Sequence, residues 1–223
     1  MDKRKLITDL QSQGLIIDRD VGSSSRKGGA GPTDRKAVII DGTTIMIPIH
    51  NNVAVKSPYT VETYHGTSLR KNDRLIGTIQ FPPQPKFYNL KTAEGISYSQ
   101  IALLHSHNVL ATTVLQTCIR YSNRNTACQF YAIEQSLKAG KTIPQKTPQQ
   151  LAEVAEAAVK LDGVEQLVMT TGTPNTTDRG AAYLIECAKA VKARVNLPIQ
   201  AQCEPPDRVV WFERMKDAGI DTL

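Results

Sequence analysis

The sequence predicts an α/β protein, a partial (β/α) barrel preceded by a small, mostly antiparallel β-rich N-terminal region. Three observations carry that expectation. Residues 36–85 hold short β-branched runs separated by turn residues, the signature of antiparallel strands. From about residue 96, strand-like runs alternate with helix-period segments across short connections, the signature of parallel strands joined by crossovers. The 223 residues are 40% hydrophobic and 22% charged with a mean hydropathy of -0.29, an ordinary globular composition. Three regions follow: an N-terminal segment with a flexible Gly/Ser-rich loop at 1–35, a β-rich extension at 36–95, and a partial barrel at 96–223.

Residues 22–35 (GSSSRKGGAGPTDR) read as a loop because Gly, Ser and charge dominate. Gly28, Gly29, Ala30 and Gly31 have the composition of a phosphate nest, but neither a strand before them nor a GK[ST] after them supports that reading. The runs 37–40 and 43–49 are joined by Asp41-Gly42, which predicts a two-residue hairpin. Strand-like pieces follow at 53–55, 59–64 and 74–79, and Pro82, Pro83 and Pro85 then break the chain. His50 and His65 read as surface or turn residues.

The second half begins with 108–116 (NVLATTVLQ), a near-continuous apolar strand of the kind buried on both faces. A short helix is expected at 132–139, stopped by Gly140. Thr147-Pro148 starts a longer helix with Leu151, Val154, Ala155, Ala158 and Val159 on one face. The next strand is 166–171. Asp178 is expected to cap a helix that buries Ala181, Leu184, Ile185, Ala188 and Val191. A third strand at 197–203 precedes a helix capped by Asp207 and ended by Gly219, and 220–223 begins another strand. Right-handed crossovers in sequential order build a barrel or part of one. Because the chain stops as a strand begins, the expectation is a truncated piece of a longer barrel; a complete doubly wound domain is the alternative.

Lys and Arg number 27 against 21 Asp and Glu, a net charge of +6, with Lys3, Arg4, Lys5, Arg26, Lys27, Arg35 and Lys36 crowded at the start. That excess suits a solvated surface or an anionic small-molecule substrate. Aromatic residues are only 5% and no basic stripe interleaves with them, which argues against a nucleic-acid partner. No run reaches the roughly 18 apolar residues of a membrane span. The first ten residues lack the apolar core of a secretory signal, so the expected location is cytoplasmic and no membrane partner is expected. Cys118, Cys128, Cys187 and Cys203 are too few for a disulfide framework in a chain of this length.

The stretch 117–140 (TCIRYSNRNTACQFYAIEQSLKAG) carries the most specific pattern. It starts where the first barrel strand ends, the rim on which barrel active sites sit. Cys118 and Cys128 flank a polar loop. As a zinc signal they are weak, because zinc wants closer pairs and four ligands; on residue types alone, free or structural thiols remain an open reading. Gln200, Gln202 and Glu204 alternate along the third strand and share one face, which in a closed barrel points inward. Buried there, polar groups cost stability unless they bind something. Arg120 and Arg124 are available to anchor a carboxylate. His105 and His107, without carboxylate partners, read as structural.

The stretch resembles the iron–sulfur loop of radical S-adenosylmethionine (radical SAM) enzymes. More narrowly, it is similar to a radical SAM family encoded near nitrilases, whose loop has the form C-x9-C-x2-C. VLATTVLQTCIRY, TACQF, EQSLKAGKTI, VMTTGTP, DRGAAYL and PIQAQCEPP carry the similarity. The resemblance implies a radical SAM-type barrel, with the N-terminal β unit as that family's own extension. It implies that Cys118 and Cys128 bind two irons of a 4Fe–4S cluster and that the third ligand stands at residue 131, which here is Tyr131. In the family the open iron chelates S-adenosyl-L-methionine, whose reductive cleavage yields a 5′-deoxyadenosyl radical that takes hydrogen from a small-molecule substrate. The electron comes from a donor such as flavodoxin or ferredoxin.

Iron–sulfur clusters favour soft thiolates. A phenol, with an ordinary pKa of about 10 against about 8.5 for a thiol, is a harder oxygen donor. Tyr131 is therefore expected to bind iron poorly, and the activity to be impaired. Neither Cys203, further round the rim, nor Cys187, packed as a small hydrophobe, is expected to replace it. The resemblance implies that Phe130 takes the aromatic position whose backbone groups lie near the adenine. It implies likewise that Thr170, Thr171, Gly172 and Thr173 stand in the place of the glycine-rich contact to the amino group of S-adenosyl-L-methionine. Gln202 and Glu204 are expected to contact cofactor or substrate. No residue is assigned as catalytic. The alternatives to a radical SAM enzyme are an inactive fragment and a cluster-free α/β-barrel lyase.

Overall fold

The structure, a computed structural model, describes residues 2–17, 35–62, 67–105, 108–123, 125–128 and 133–223, the side chains of 133–135 excepted. The described residues form two compact units, one up to Gln84 and one from Pro85 onward, each with its own core.

In the first unit, α1 (Lys3–Gln13) starts at Asp2, whose side chain accepts from Arg4 N at 3.0 Å. It ends at Gly14, whose φ of 77° permits the turn and whose absent Cβ would otherwise sit 2.6 Å from Ala54 Cβ. The strands are β1 (Ile16–Ile17), β2 (Arg35–Ile40), β3 (Thr43–Pro48), β4 (Tyr59–Glu62), β5 (Ser68–Lys71) and β6 (Arg74–Thr78). The Asp41-Gly42 hairpin forms between β2 and β3, with Ile40 opposite Thr43 and positive φ at both turn residues (44° and 74°), as a type I′ turn requires. Alternation along β2 and β3 buries Val38, Ile40, Ile45 and Ile47 with Leu10, Leu15, Tyr59, Val61 and Leu69. The second sheet has the order β1-β4-β5-β6, with β1 parallel to β4 and the other pairs antiparallel.

Two expectations change here. Residues 53–55 do not form a strand: Ala54–Lys56 is a 3₁₀ turn. Asn51 Oδ1 accepts from Val53 N at 3.2 Å and Ala54 N at 2.8 Å, and these local bonds hold the backbone in a turn. Strand β5 was not anticipated, although Asn72 and Asp73, with φ of 47° and 64°, make the tight turn that joins it to β6. His50 is exposed; His65 and the 28–31 nest lie outside the described residues.

The second unit contains α2 (Tyr98–Ile101), β7 (Leu103–His105), β8 (Val109–Thr113), α3 (Ile133–Lys138), α4 (Pro148–Asp162), β9 (Gln166–Thr170), α5 (Ala181–Lys192), β10 (Ile199–Gln202) and α6 (Val210–Asp217). Its sheet has the order β10-β9-β8-β7. Strands β8, β9 and β10 are parallel and sequential, as the alternation with helices predicts. The edge strand β7, which the sequence reading passed over, is antiparallel to β8.

Thr147 and Gln150 close a capping box at the start of α4, and Gly163 in the left-handed region ends it. Helix α5 is entered differently from the expectation: its N-cap is Gly180, while Asp178 Oδ2 accepts from Ala182 N at 2.9 Å. Asp207 does not cap α6, which begins after Val209 without a side-chain cap.

One face of the sheet, carrying Leu110, Leu167, Met169, Ile199 and Ala201, is buried against Leu151, Val154 and Ala155 of α4 and Leu184, Cys187 and Ala188 of α5. The opposite face carries residues in register: Ala111, Val168 and Gln200, then Thr113, Thr170 and Gln202 at the carboxyl rim. Thr222 makes a parallel bridge to Gln200, and Ala201 N donates to Thr222 O at 2.9 Å, so the last residues add to the sheet edge. The molecule is mixed α/β with several sheets, and among the described residues the strands do not close into a barrel. Closure of a parallel barrel takes about eight tilted, staggered strands.

Candidate functional site

The carboxyl ends of β8, β9 and β10 open onto a cavity of about 290 Å³. Its floor is set by strand register. Thr113, Thr170 and Gln202 lie side by side, and the Thr113 and Thr170 hydroxyls are 2.7 Å apart. The strand ends then turn in concert. Val114 N donates to Thr170 O at 2.8 Å, Gly172 N to Leu115 O at 2.8 Å, and Thr171 N to Gln202 O at 3.2 Å. The start of the cysteine loop is pinned as well, by Gln116 N on Pro144 O at 2.7 Å, Lys146 N on Val114 O at 2.9 Å and Ile119 N on Thr173 O at 2.9 Å. Lys146 is fully buried and donates to Gln116 Oε1 at 3.1 Å, which holds the same turn from its side chain.

The loop folds back on itself. The Thr126 hydroxyl donates to Arg120 O at 2.9 Å, and Thr126 N and Ala127 N donate to Asn123 O at 3.0 and 3.1 Å. The Tyr121 hydroxyl donates to Cys128 O at 3.5 Å. These bonds bring the far end of the loop to the same cavity as its beginning: Cys118, Arg120, Tyr121 and Cys128 all line it. Arg120 then reaches across. Its Nε donates to Glu204 Oε1 at 3.0 Å and its Nη2 to Glu204 Oε2 at 2.8 Å, a two-pronged pair between loop and strand end.

The pair sets the charge states. Arg120 above all, then Thr173 and Arg179, hold the Glu204 carboxyl below the ordinary glutamate range against the opposing effect of partial burial. Glu204 is an ionised, already-paired group rather than a free base. Burial, with Asp178 and Glu204 nearby, pushes the Cys203 thiol up, so it is held protonated. Cys187 is fully buried in the helix-covered core, and burial pushes its thiol up to about 12, which makes it a packing group.

Of the residues the sequence singled out, Cys118, Cys128, Thr170, Thr171, Gly172, Thr173, Gln202 and Glu204 line this one cavity. Phe130 and Tyr131 lie outside the described residues, as do Arg124 and His107. His105 is exposed on the edge strand β7 and is not part of the lining. Thr113 and Tyr121 were missed; Thr113 ends its strand opposite Thr170, so the register alone would have found it. Gly172 has a reason of its own to be glycine. A Cβ there would stand 2.1 Å from Thr117 O and 3.1 Å from Leu115 O, so the close approach it permits is that of the cysteine loop.

Cys118 and Cys128 offer two thiols for a soft metal or cluster. Among the described residues no group of three or more His, Cys, Asp or Glu is placed to hold a metal ion. Cys203 lines the same cavity as Cys118 and Cys128, but the three are not grouped as a metal site, and a 4Fe–4S cluster with one open iron takes three thiolates, so the described residues do not by themselves hold one. Comparison with known proteins finds no matching protein family, no matching curated protein and no matching solved structure. Among the described residues no helix is long and apolar enough to cross a membrane.

Proposed function

We propose that this chain is a radical SAM-type protein, built on part of a (β/α) barrel of that kind. Its cavity would take S-adenosyl-L-methionine beside a 4Fe–4S cluster bound in part by Cys118 and Cys128. The observation that supports this reading is the meeting of both cysteines with the Thr170–Thr173 turn and the Gln202–Glu204 strand end around one cavity. Parallel strand ends are where such sites are built.

Held in part by Cys118 and Cys128, a cluster would supply the electron for reductive cleavage of S-adenosyl-L-methionine, and with it hydrogen abstraction from a small-molecule substrate. The residues do the rest. The hydroxyls of Thr170, Thr171 and Thr173 and the Gln202 amide offer hydrogen bonds to the amino acid and ribose parts. Glu204 holds the loop through Arg120 instead of serving as a base. An electron donor such as flavodoxin or ferredoxin and a cytoplasmic location belong to the same reading. Since the third ligand position is Tyr131 rather than a cysteine, cluster occupancy in the native chain is expected to be low.

The test is iron and sulfide content after anaerobic reconstitution, with absorption and paramagnetic-resonance spectra recorded with and without S-adenosyl-L-methionine. Tyr131→Cys is expected to raise bound iron toward four per chain, an expectation that follows from three thiolates completing the site. Cys118→Ala in that background should abolish the gain. No rise in iron for Tyr131→Cys overturns the reading. Turnover of a substrate by the iron-free protein would favour the cluster-free lyase instead.

A further inference from the structure

The cavity wall spends its opposite charges on each other. Among the described residues of the lining there is one arginine, Arg120, and one carboxylate, Glu204, and they meet in the two-pronged contact of 3.0 and 2.8 Å. Arg179, 3.9 Å from the same carboxylate, is not part of the lining. A charged ligand group would either break the Arg120–Glu204 pair or lie unpaired in a partly desolvated cavity, and both are costly.

The uncharged polar groups are placed otherwise. Thr113, Thr170 and Gln202 form one row across three strands, in register and on one face. The Thr170 hydroxyl donates to Thr112 O at 3.3 Å, so in the 2.7 Å contact between the two threonines Thr113 is the donor. Both hydroxyl protons are thereby committed inside the wall, and the two oxygens keep lone pairs for a ligand N–H. The Gln202 side chain lines the cavity too, and among the described residues no hydrogen bond falls on its amide. That amide holds a carbonyl acceptor and N–H donors side by side.

We propose that this row receives an uncharged primary carboxamide of the small-molecule substrate. The proposal rests on the preceding section only in taking this cavity as the ligand site, and it gives Gln202 to the substrate instead of to S-adenosyl-L-methionine. A carboxamide sets a carbonyl beside an N–H, the complement of the Gln202 amide, and its second N–H suits the threonine oxygens. A carboxylate brings no donor for those oxygens, and an amidinium brings no acceptor for the Gln202 N–H groups. Each also carries a charge that the wall does not balance.

Benzamide, benzoate and benzamidine share a shape and differ in charge and donor pattern, so their dissociation constants for the full native chain test the assignment. Wild type is expected to bind benzamide about tenfold more tightly than either charged probe, the size of effect that one or two mismatched hydrogen bonds produce. Gln202→Met, similar in length but without the amide, erases that preference, and Gln202→Glu moves it to benzamidine. Gln202 is exposed, so both variants are expected to fold. Saturating benzamide also slows alkylation of Cys118 and Cys128, which line the same cavity. Preference for a charged probe, selectivity unchanged in Gln202→Met, unprotected cysteines, or no binding of any probe by wild type overturns the proposal. Iron uptake by Tyr131→Cys is read separately. Benzamide selectivity in a protein that takes up no iron keeps the proposal and overturns the radical SAM reading; iron uptake without that selectivity does the reverse.

Discussion

Arg120 in the cysteine loop grips Glu204 at the end of β10 with two hydrogen bonds of 3.0 and 2.8 Å, although the residues are 84 positions apart. The bond ties the loop that presents Cys118 and Cys128 to the strand that carries Gln202. Glu204 is thereby a positioning group for the two thiols as well as part of the cavity wall.

Cutting that tie should free the loop. Glu204→Gln and Arg120→Ala are each expected to raise the alkylation rates of Cys118 and Cys128 in the native protein roughly two- to fivefold, in line with a partly exposed pair. The charge-reversed double variant Arg120→Glu with Glu204→Arg should restore slow alkylation. Equal rates in wild type and both single variants would show that the pair positions nothing.

The same pair gives a pH dependence with a definite sign. The Glu204 pKa is depressed in the folded state, so its stabilisation is complete above the ordinary glutamate value of about 4.3 and is lost as pH falls through the depressed one. Urea melts should show wild type losing stability relative to Glu204→Gln as pH is lowered below that value. Between pH 5 and 7 the difference should be flat.

Gly172→Ala is expected to destabilise the second unit by about 1–3 kcal/mol, because the added methyl meets Thr117 O at 2.1 Å and backbone must shift to admit it. Chemical denaturation measures the loss. Retained stability would mean that the loop moves away cheaply, in which case Cys118 should alkylate faster in the same variant.

The pKa of Cys187 is shifted the opposite way from that of Glu204. Its thiol stays protonated in the folded state to about 12 while the unfolded chain ionises near 9. Stability relative to Cys187→Ala should therefore fall above that lower value, by up to about 1.4 kcal/mol per pH unit. Alkylation at pH 8 should leave Cys187 unmodified until denaturant is added. Modification of the native protein at that position would contradict its burial.

In the first unit, Gly42→Ala is expected to cost about 1 kcal/mol, since Gly42 holds a φ of 74° in the hairpin turn. Thermal melts of the full chain report it. Gly42→Asn, which accepts a left-handed backbone, should cost less.

Much of this architecture is written in local patterns. The Asp41-Gly42 turn, the apolar face of α4 and the order of β8, β9 and β10 follow from turn chemistry and periodicity that a few neighbouring residues set. The weak elements were lost: α1 was not read from its mixed charges, β5 was too short to announce itself, and Asn51 pulled 53–55 into a 3₁₀ turn through its own side chain. Helix starts misled where an aspartate stood near the right place. Asp178 does bond into the first turn of α5, but Gly180 occupies the capping position; Asp207 does not cap α6 at all.

By itself, the sequence placed the three parallel strands to within a few residues, with expected ends at 116, 171 and 203 where the structure ends them at Thr113, Thr170 and Gln202, because turn signals bound strands only locally, and it set the cysteine loop at that rim. Only tertiary structure decided that Glu204 is engaged by Arg120, that Arg179 stands close behind it, and that Gly172 yields space to the loop instead of a ligand. Those relations join residues from separate elements across a cavity. No local pattern encodes them, since the distances exist only after helices and strands have packed.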